Sequence, residues 1–161
     1  MKSVLALLDF SGVTDAVVKT AVDMVRAFQS KLILLHVATP DADYEGEEMR
    51  TDISRTGVAG EMHRYHRELQ KITTDCTGAG IDVTALLVRG TSARGNPVQK
   101  ILEEVDRVRP DLIVVGSHGH GRIHDILLGS VSSAVIRKAP CPVVVVPALK
   151  HLPVGTDPVK H

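Results

Sequence analysis

The chain has 161 residues, enough for one domain with a sizeable core. Its 19 basic and 19 acidic side chains cancel, so nothing in the overall charge points to a nucleic acid or an anionic membrane as partner. Hydrophobic residues make up 43% of the chain and aromatic ones only 2%, which demands an aliphatic core of the kind a helix-covered parallel sheet provides.

Residues 4–8 form an unbroken apolar run, the pattern of a strand buried on both faces, and Asp9 stands at its carboxyl end. The run is too short and too soon acidic for a signal peptide, and no later stretch approaches a membrane span, so a cytoplasmic protein with no membrane partner is expected. Ser11 or Thr14 is placed to cap a helix whose apolar positions Val13, Val17, Ala21, Met24, Val25 and Phe28 recur at helical spacing. Residues 31–37 read as the second strand, with His36 expected to be a hydrogen-bonded interior histidine rather than a catalyst. Pro40 and the acidic cluster Asp41, Asp43, Glu45, Glu47 and Glu48 read as a solvated loop.

A helix is predicted from about 47 to 77, interrupted near Gly57 and Gly60 and stopped by Gly78 and Gly80. Its second half is marked by Met62, Tyr65, Leu69, Ile72 and Cys76. Residues 81–88 form a third strand, whose Asp82 and Thr84 suggest a sheet edge. The basic, glycine-rich segment 89–95 is either a surface connection or a second phosphate-contacting loop, the first reading being favoured. Asn96 and Pro97 open a helix carrying Val98, Ile101, Leu102, Val105 and Val108, and Pro110 ends it. Residues 112–115 are the fourth strand, 129–138 a last helix and Val143 to Val146 the fifth strand. Residues 1–147 thus form one domain, and 148–161, where the pattern is lost, a C-terminal tail. Cys76 and Cys141 are far apart and form no CxxC, so both read as structural thiols.

Five strands alternating with four helical patterns describe a doubly wound α/β sheet with helices on both faces. In such sheets ligands sit outside the carboxyl ends of the strands, where strand order reverses. The segment 111–133 fits that place. Its strand empties into a loop with Gly116, Gly119, Gly121 and Gly129, and Ser130 and Ser132 open the next helix. Glycines permit close backbone approach, and a helix start offers N–H groups and the positive end of a dipole, so a phosphate is the expected guest. Arg122 either neutralises a terminal phosphate or faces water. His118, His120 and His124 are accompanied only by Asp125, so a protein-caged metal is not expected. There is no GxxxxGK[ST] and no evident general base, which favours binding over hydrolysis.

The spacing Gly116-x-x-Gly119, nine residues, Gly129-Ser130 resembles the nucleotide-binding signature of the universal stress protein family, in its ATP-binding branch. The resemblance runs from Val4–Ser11 to Ala139–Val146. It implies a five-stranded parallel sheet of order 3-2-1-4-5, with Asp9 and the Gly116 loop facing each other across one crevice. It further implies that Asp9 and Val37 meet the base and ribose. Val115, Gly116, His118 and Gly119 would lie under ribose and phosphates, and Gly129, Ser130, Val131 and Ser132 would hold the phosphates. The implied ligand is ATP or AMP, with any Mg²⁺ travelling on the nucleotide. The implied assembly is a homodimer through Val143 to Val146, and the implied role a stress-response regulatory or sensor module. A nucleotide-independent dimeric scaffold is the alternative, and slow ATP hydrolysis the third.

Overall fold

The computed structural model describes residues 1–38, 53–90, 97–117 and 128–148. The acidic cluster, the helix residues expected before 53, the Asn96 cap, most of the basic loop and nearly all of the tail lie outside the described residues, as do Gly119, Gly121 and the three loop histidines.

Nine elements alternate along the chain: β1 (Ser3–Leu7), α1 (Thr14–Phe28), β2 (Lys31–Ala38), α2 (Ile53–Gly78), β3 (Val83–Arg89), α3 (Pro97–Val108), β4 (Leu112–Gly116), α4 (Ser130–Lys138) and β5 (Val143–Val146). The strands make one parallel sheet in the order β3-β2-β1-β4-β5. Register places Val4 beside both Leu32 and Leu112, and Ala6 beside both Leu34 and Val114. The order reverses between β1 and β4, and β3 lies at an edge, as its polar residues suggested.

Alternation along the central strands builds two cores. On one face Val4, Ala6, Leu8, Leu32, Leu34 and Val114 meet Val17, Ala21 and Val25 of α1 and Leu69 and Cys76 of α2. On the other, Leu5, Leu7, Leu35, Ile113 and Val115 meet Ile101 and Val105 of α3 and Val135 of α4. Both faces of β1 are covered, so Val4, Leu5 and Ala6 are wholly buried and the strand reads as a continuous apolar run.

Two helix boundaries differ from expectation. No side chain of Ser11 or Thr14 caps α1: the N-cap is Val13, with no side-chain cap bond, and both hydroxyls turn back to Asp9. Along α2 the helix runs unbroken through Gly57 and Gly60. A glycine in a helix interior costs only about 1 kcal/mol, which a helix anchored by Leu69, Ile72 and Cys76 absorbs. Termination comes at Gly80, whose φ of +77° lets the Gly80 and Ile81 amides fold back onto Thr77 and Cys76.

The chain start is tied to β4 by a carboxylate. Asp111 Oδ2 accepts from the amides of Lys2 at 2.7 Å and Ser3 at 3.0 Å, and these bonds, Lys2's first, hold its pKa below the ordinary carboxylate range. A depressed folded-state pKa stabilises the fold above the unfolded value and is lost as pH falls through the folded one. Asp111→Asn is therefore expected to melt below wild type at neutral pH, with the gap closing as pH drops under about 4, measured by thermal denaturation across pH.

Candidate functional site

The carboxyl ends of β1 and β4 leave neighbouring strands at the same end of the sheet. At the end of β1, Asp9 is half-buried and turns its Oδ1 inward. That oxygen accepts from the Ser11 amide at 3.0 Å, the Ser11 hydroxyl at 2.6 Å and the Thr14 hydroxyl at 3.4 Å. All of its bonds among the described residues fall on Oδ1. The carboxylate is thus oriented by the first turn of α1 while Oδ2 is left to accept from something else.

At the end of β4, Ser117 carries the junction with α4. The Gly129 amide donates to the Ser117 carbonyl at 2.8 Å, and the Ser117 amide donates to Val146 at 2.8 Å. The glycine-rich segment therefore departs from and returns to one point. Gly129 is the N-cap of α4 in extended conformation, and among the described residues no side chain caps the helix. First-turn N–H groups have no intrahelical acceptor and carry the positive end of the dipole. The Ser132 hydroxyl, 3% exposed, donates to the Gly116 carbonyl at 2.6 Å, stitching the helix start to the strand end. What Ser132 offers a ligand is its main chain. Ser130 is exposed, and Val131 packs in the core beneath.

Of the residues singled out in the sequence, Asp9, Val37, Val115, Gly116, Gly129, Ser130, Val131 and Ser132 come to the carboxyl end of the sheet or the adjoining start of α4. Val37 and Val115 do so as core residues on the α3–α4 face, so only their main chain faces the crevice end. His118, Gly119 and Arg122 lie outside the described residues. Among the described residues no group of three or more His, Cys, Asp or Glu is arranged to hold a metal, and no helix is long and apolar enough to cross a membrane.

Three residues were not foreseen as a unit. Phe10, directly after Asp9, adopts a left-handed φ of 56°. Its ring lies 4.6 Å from His36 and 5.5 Å from Tyr65, and His36 and Tyr65 are 4.4 Å apart. The chain has only two Phe, two Tyr and no Trp, so two of its four aromatic rings gather here; that scarcity was the available signal. His36 is buried, with Nδ1 2.7 Å from the Leu8 carbonyl. A carbonyl only accepts, so Nδ1 carries the proton. Burial lowers the pKa of His36, against the pull of that bond and of Asp9. Beside the cluster, a groove of about 460 Å³ between α1 and α2 is lined by Phe10, Ser11, Thr14, Arg64, Tyr65 and Lys71 among others. None of the described glycine-loop residues reaches it.

Comparison with known proteins matches residues 1–147 to the model of the universal stress protein family. A universal stress protein of Methanocaldococcus jannaschii is 31% identical over 161 residues, covering 90% of this chain and 94% of that protein. A solved structure of that protein superposes with a TM-score of 0.72 at 26% identity, over 92% of this chain and 97% of that one. A universal stress protein A-like protein of Arabidopsis thaliana is 32% identical over 124 residues, or 72% of this chain and 66% of that protein. A universal stress protein solved in complex with cAMP superposes with a TM-score of 0.64 at 25% identity, covering 91% of this chain and 96% of that one.

The Ser132 bond is the joint on which this end of the molecule turns. Ser132→Ala leaves the Gly116 carbonyl short of its buried donor, which is expected to lower unfolding stability by about 1–3 kcal/mol, measured by urea denaturation.

Proposed function

The chain belongs to the universal stress protein family, and from that premise we propose that it binds an adenine nucleotide, ATP or AMP, as a regulatory or sensor module. One observation carries the reading. The two ends of the glycine-rich segment meet through the Gly129–Ser117 bond at a helix start that no side chain caps among the described residues, on the strand next to a carboxylate whose bonds among those residues all fall on one oxygen.

Each part has a task that its chemistry suits. Asp9 Oδ2 accepts from a ribose hydroxyl or base amine, and the main chain at Val37 meets the base edge. The main chain of Val115 and Gly116, with His118 and Gly119, lies under ribose and phosphates. The N–H groups of Ser130, Val131 and Ser132, with the Ser130 hydroxyl and the Arg122 guanidinium, take the phosphate oxygens. Mg²⁺, when present, travels with the nucleotide and neutralises phosphate charge. Nothing in the motif supplies the lysine of a P-loop, so occupancy rather than turnover is the signal. The cAMP complex of a relative supports an adenine nucleotide over another anion.

A dimeric scaffold is the second reading, favoured by β5. It is the last strand of the sheet, paired only with β4, and Val143, Val144 and Val145 stay partly exposed. A bare valine edge invites pairing with a second copy.

Two measurements test these readings. In titration calorimetry with ATP, ADP and AMP, Asp9→Asn keeps an acceptor for Ser11 and Thr14 but replaces the second carboxylate oxygen with a donor. It is expected to weaken binding at least about tenfold, or about 1.4 kcal/mol; equal affinity in the two proteins would remove Asp9 from the site. Sedimentation equilibrium at micromolar concentration is expected to give a dimer, and a monomer contradicts pairing through β5.

A further inference from the structure

We infer that His36 is a positioning residue for the nucleotide site: through Leu8 and the rings of Phe10 and Tyr65 it holds the Asp9 turn in its binding geometry, and it does so only while its imidazole is neutral. The inference rests on the reading of Asp9 as a nucleotide ligand and deepens it into a form of regulation by protons.

The geometry runs through residues adjacent in sequence to the site. Nδ1–H of His36 donates to the carbonyl of Leu8, the residue before Asp9. The His36 ring packs at 4.6 Å against Phe10, the residue after Asp9. Asp9 is thus flanked on both sides by contacts to one imidazole, and His36 itself precedes Val37. Tyr65 of α2 closes the arrangement, 4.4 Å from His36 and nearly parallel to Phe10 at 11°. The left-handed φ of 56° at Phe10 is one that bulky residues avoid. It places the Ser11 amide and hydroxyl on Asp9 Oδ1. Release of the ring would let this residue return to ordinary backbone and carry the carboxylate with it.

Protonation is what releases it. His36 is 6% exposed, and its Nε2 is buried with no hydrogen-bond partner among the described residues. A bare lone pair between two rings is tolerable in the neutral tautomer. An added proton makes Nε2 a buried donor without an acceptor and puts a charge in a desolvated place. The charged and titratable groups around it divide. From the end of β1, Asp9 favours the imidazolium; from α2, Arg64 opposes it, its guanidinium 5.1 Å over the Tyr65 ring, and Tyr65 supplies an uncharged ring face. On β3 the register partner of His36 is Leu87, which adds no charge. Burial is the largest influence and opposes the imidazolium. With a folded-state pKa below the ordinary value, His36 supports the organised arrangement fully above about 6.5, and that support is lost as pH falls from there through the lowered folded-state pKa. Bound phosphates pull with Asp9, so a loss of affinity in acid would have to arise from the turn and not from attraction.

The test uses two readouts on the whole protein. In the first, the amide resonances of Asp9, Phe10 and Ser11 are followed by NMR with pH, without nucleotide. They are expected to shift with the midpoint of the His36 ring in wild type and to lose that transition in His36→Gln. In the second, ATP affinity of both proteins is compared at about pH 7.5 and about pH 5.5. Taking the ratio of the two proteins cancels the titration of ATP itself. Wild type is expected to lose affinity several-fold more than His36→Gln, up to about tenfold at a pH one unit below the ordinary imidazole value. Amides that ignore the His36 midpoint, or an affinity ratio that is constant with pH, overturn the inference. If neither protein binds ATP, ADP or AMP at any pH while the amides follow His36, the nucleotide reading fails and the link from His36 to the Asp9 turn stands. Should His36→Gln fail to fold, the wild-type amides decide alone, and Tyr65→Phe, which keeps the ring, is expected to preserve the transition that Tyr65→Ala abolishes.

Discussion

Everything at the candidate site follows from burying β1 and β4 on both faces of a parallel sheet. Parallel strands send all their carboxyl ends the same way, so the loops that follow them are gathered at one end. The reversal of order between β1 and β4 splits the helices between faces, α1 and α2 on one, α3 and α4 on the other. The helices that follow β1 and β4 therefore pack on opposite faces of the sheet, α1 on one and α4 on the other, next to the strand ends where Asp9 and Ser117 stand. The core is plain aliphatic packing, and the candidate site residues stand at its rim.

At that rim the same groups serve the fold and the candidate ligand, and geometry divides the work. Asp9 binds Ser11 and Thr14 through Oδ1, so the helix-start role and the ligand role are compatible in one carboxylate. Ser132 divides differently. Its hydroxyl is wholly engaged by Gly116, and only its main chain is directed by the helix start. A serine hydroxyl at a helix N-terminus reads as a phosphate donor, yet a buried carbonyl within reach takes precedence because leaving it unpaired would cost about 1–3 kcal/mol.

What was legible in the sequence depended on range. β1 and β4 showed as unbroken apolar runs because each residue's burial is a local property of a covered strand, and β5 showed as one although it lies at the sheet edge with three of its valines partly exposed. The order of the strands was not legible from such runs, since an all-valine strand suits any neighbour; the resemblance to a family supplied it. The course of α2 was misjudged at Gly57 and Gly60 because propensity is local while the packing of Leu69 and Cys76 that overrides it is not. The start of α1 was legible to within a residue or two, but the side-chain cap expected of Ser11 or Thr14 was not there, because both hydroxyls turn to Asp9. Tyr65 was visible only as one more residue on a helix face. Its meeting with Phe10 and His36 joins three separate elements, and no periodicity carries that information.

Magnitudes explain why that meeting matters. A bulky residue in the left-handed region costs about 1–2 kcal/mol, and aromatic contacts are worth about 0.5–1.5 kcal/mol each beyond the area they bury. Phe10 makes two such contacts, with His36 and with Tyr65. The ring contacts are therefore of a size to offset the backbone strain, beside the three bonds that Asp9 Oδ1 accepts. The aliphatic core offers nothing comparable, since each of its wholly buried side chains is held by far more than any single interaction. In a chain so poor in aromatic residues, Phe10 and Tyr65 gather with His36 at a turn where Phe10 has a left-handed φ and His36 Nε2 has no partner among the described residues. That coincidence separates a switchable turn from a merely well-packed one.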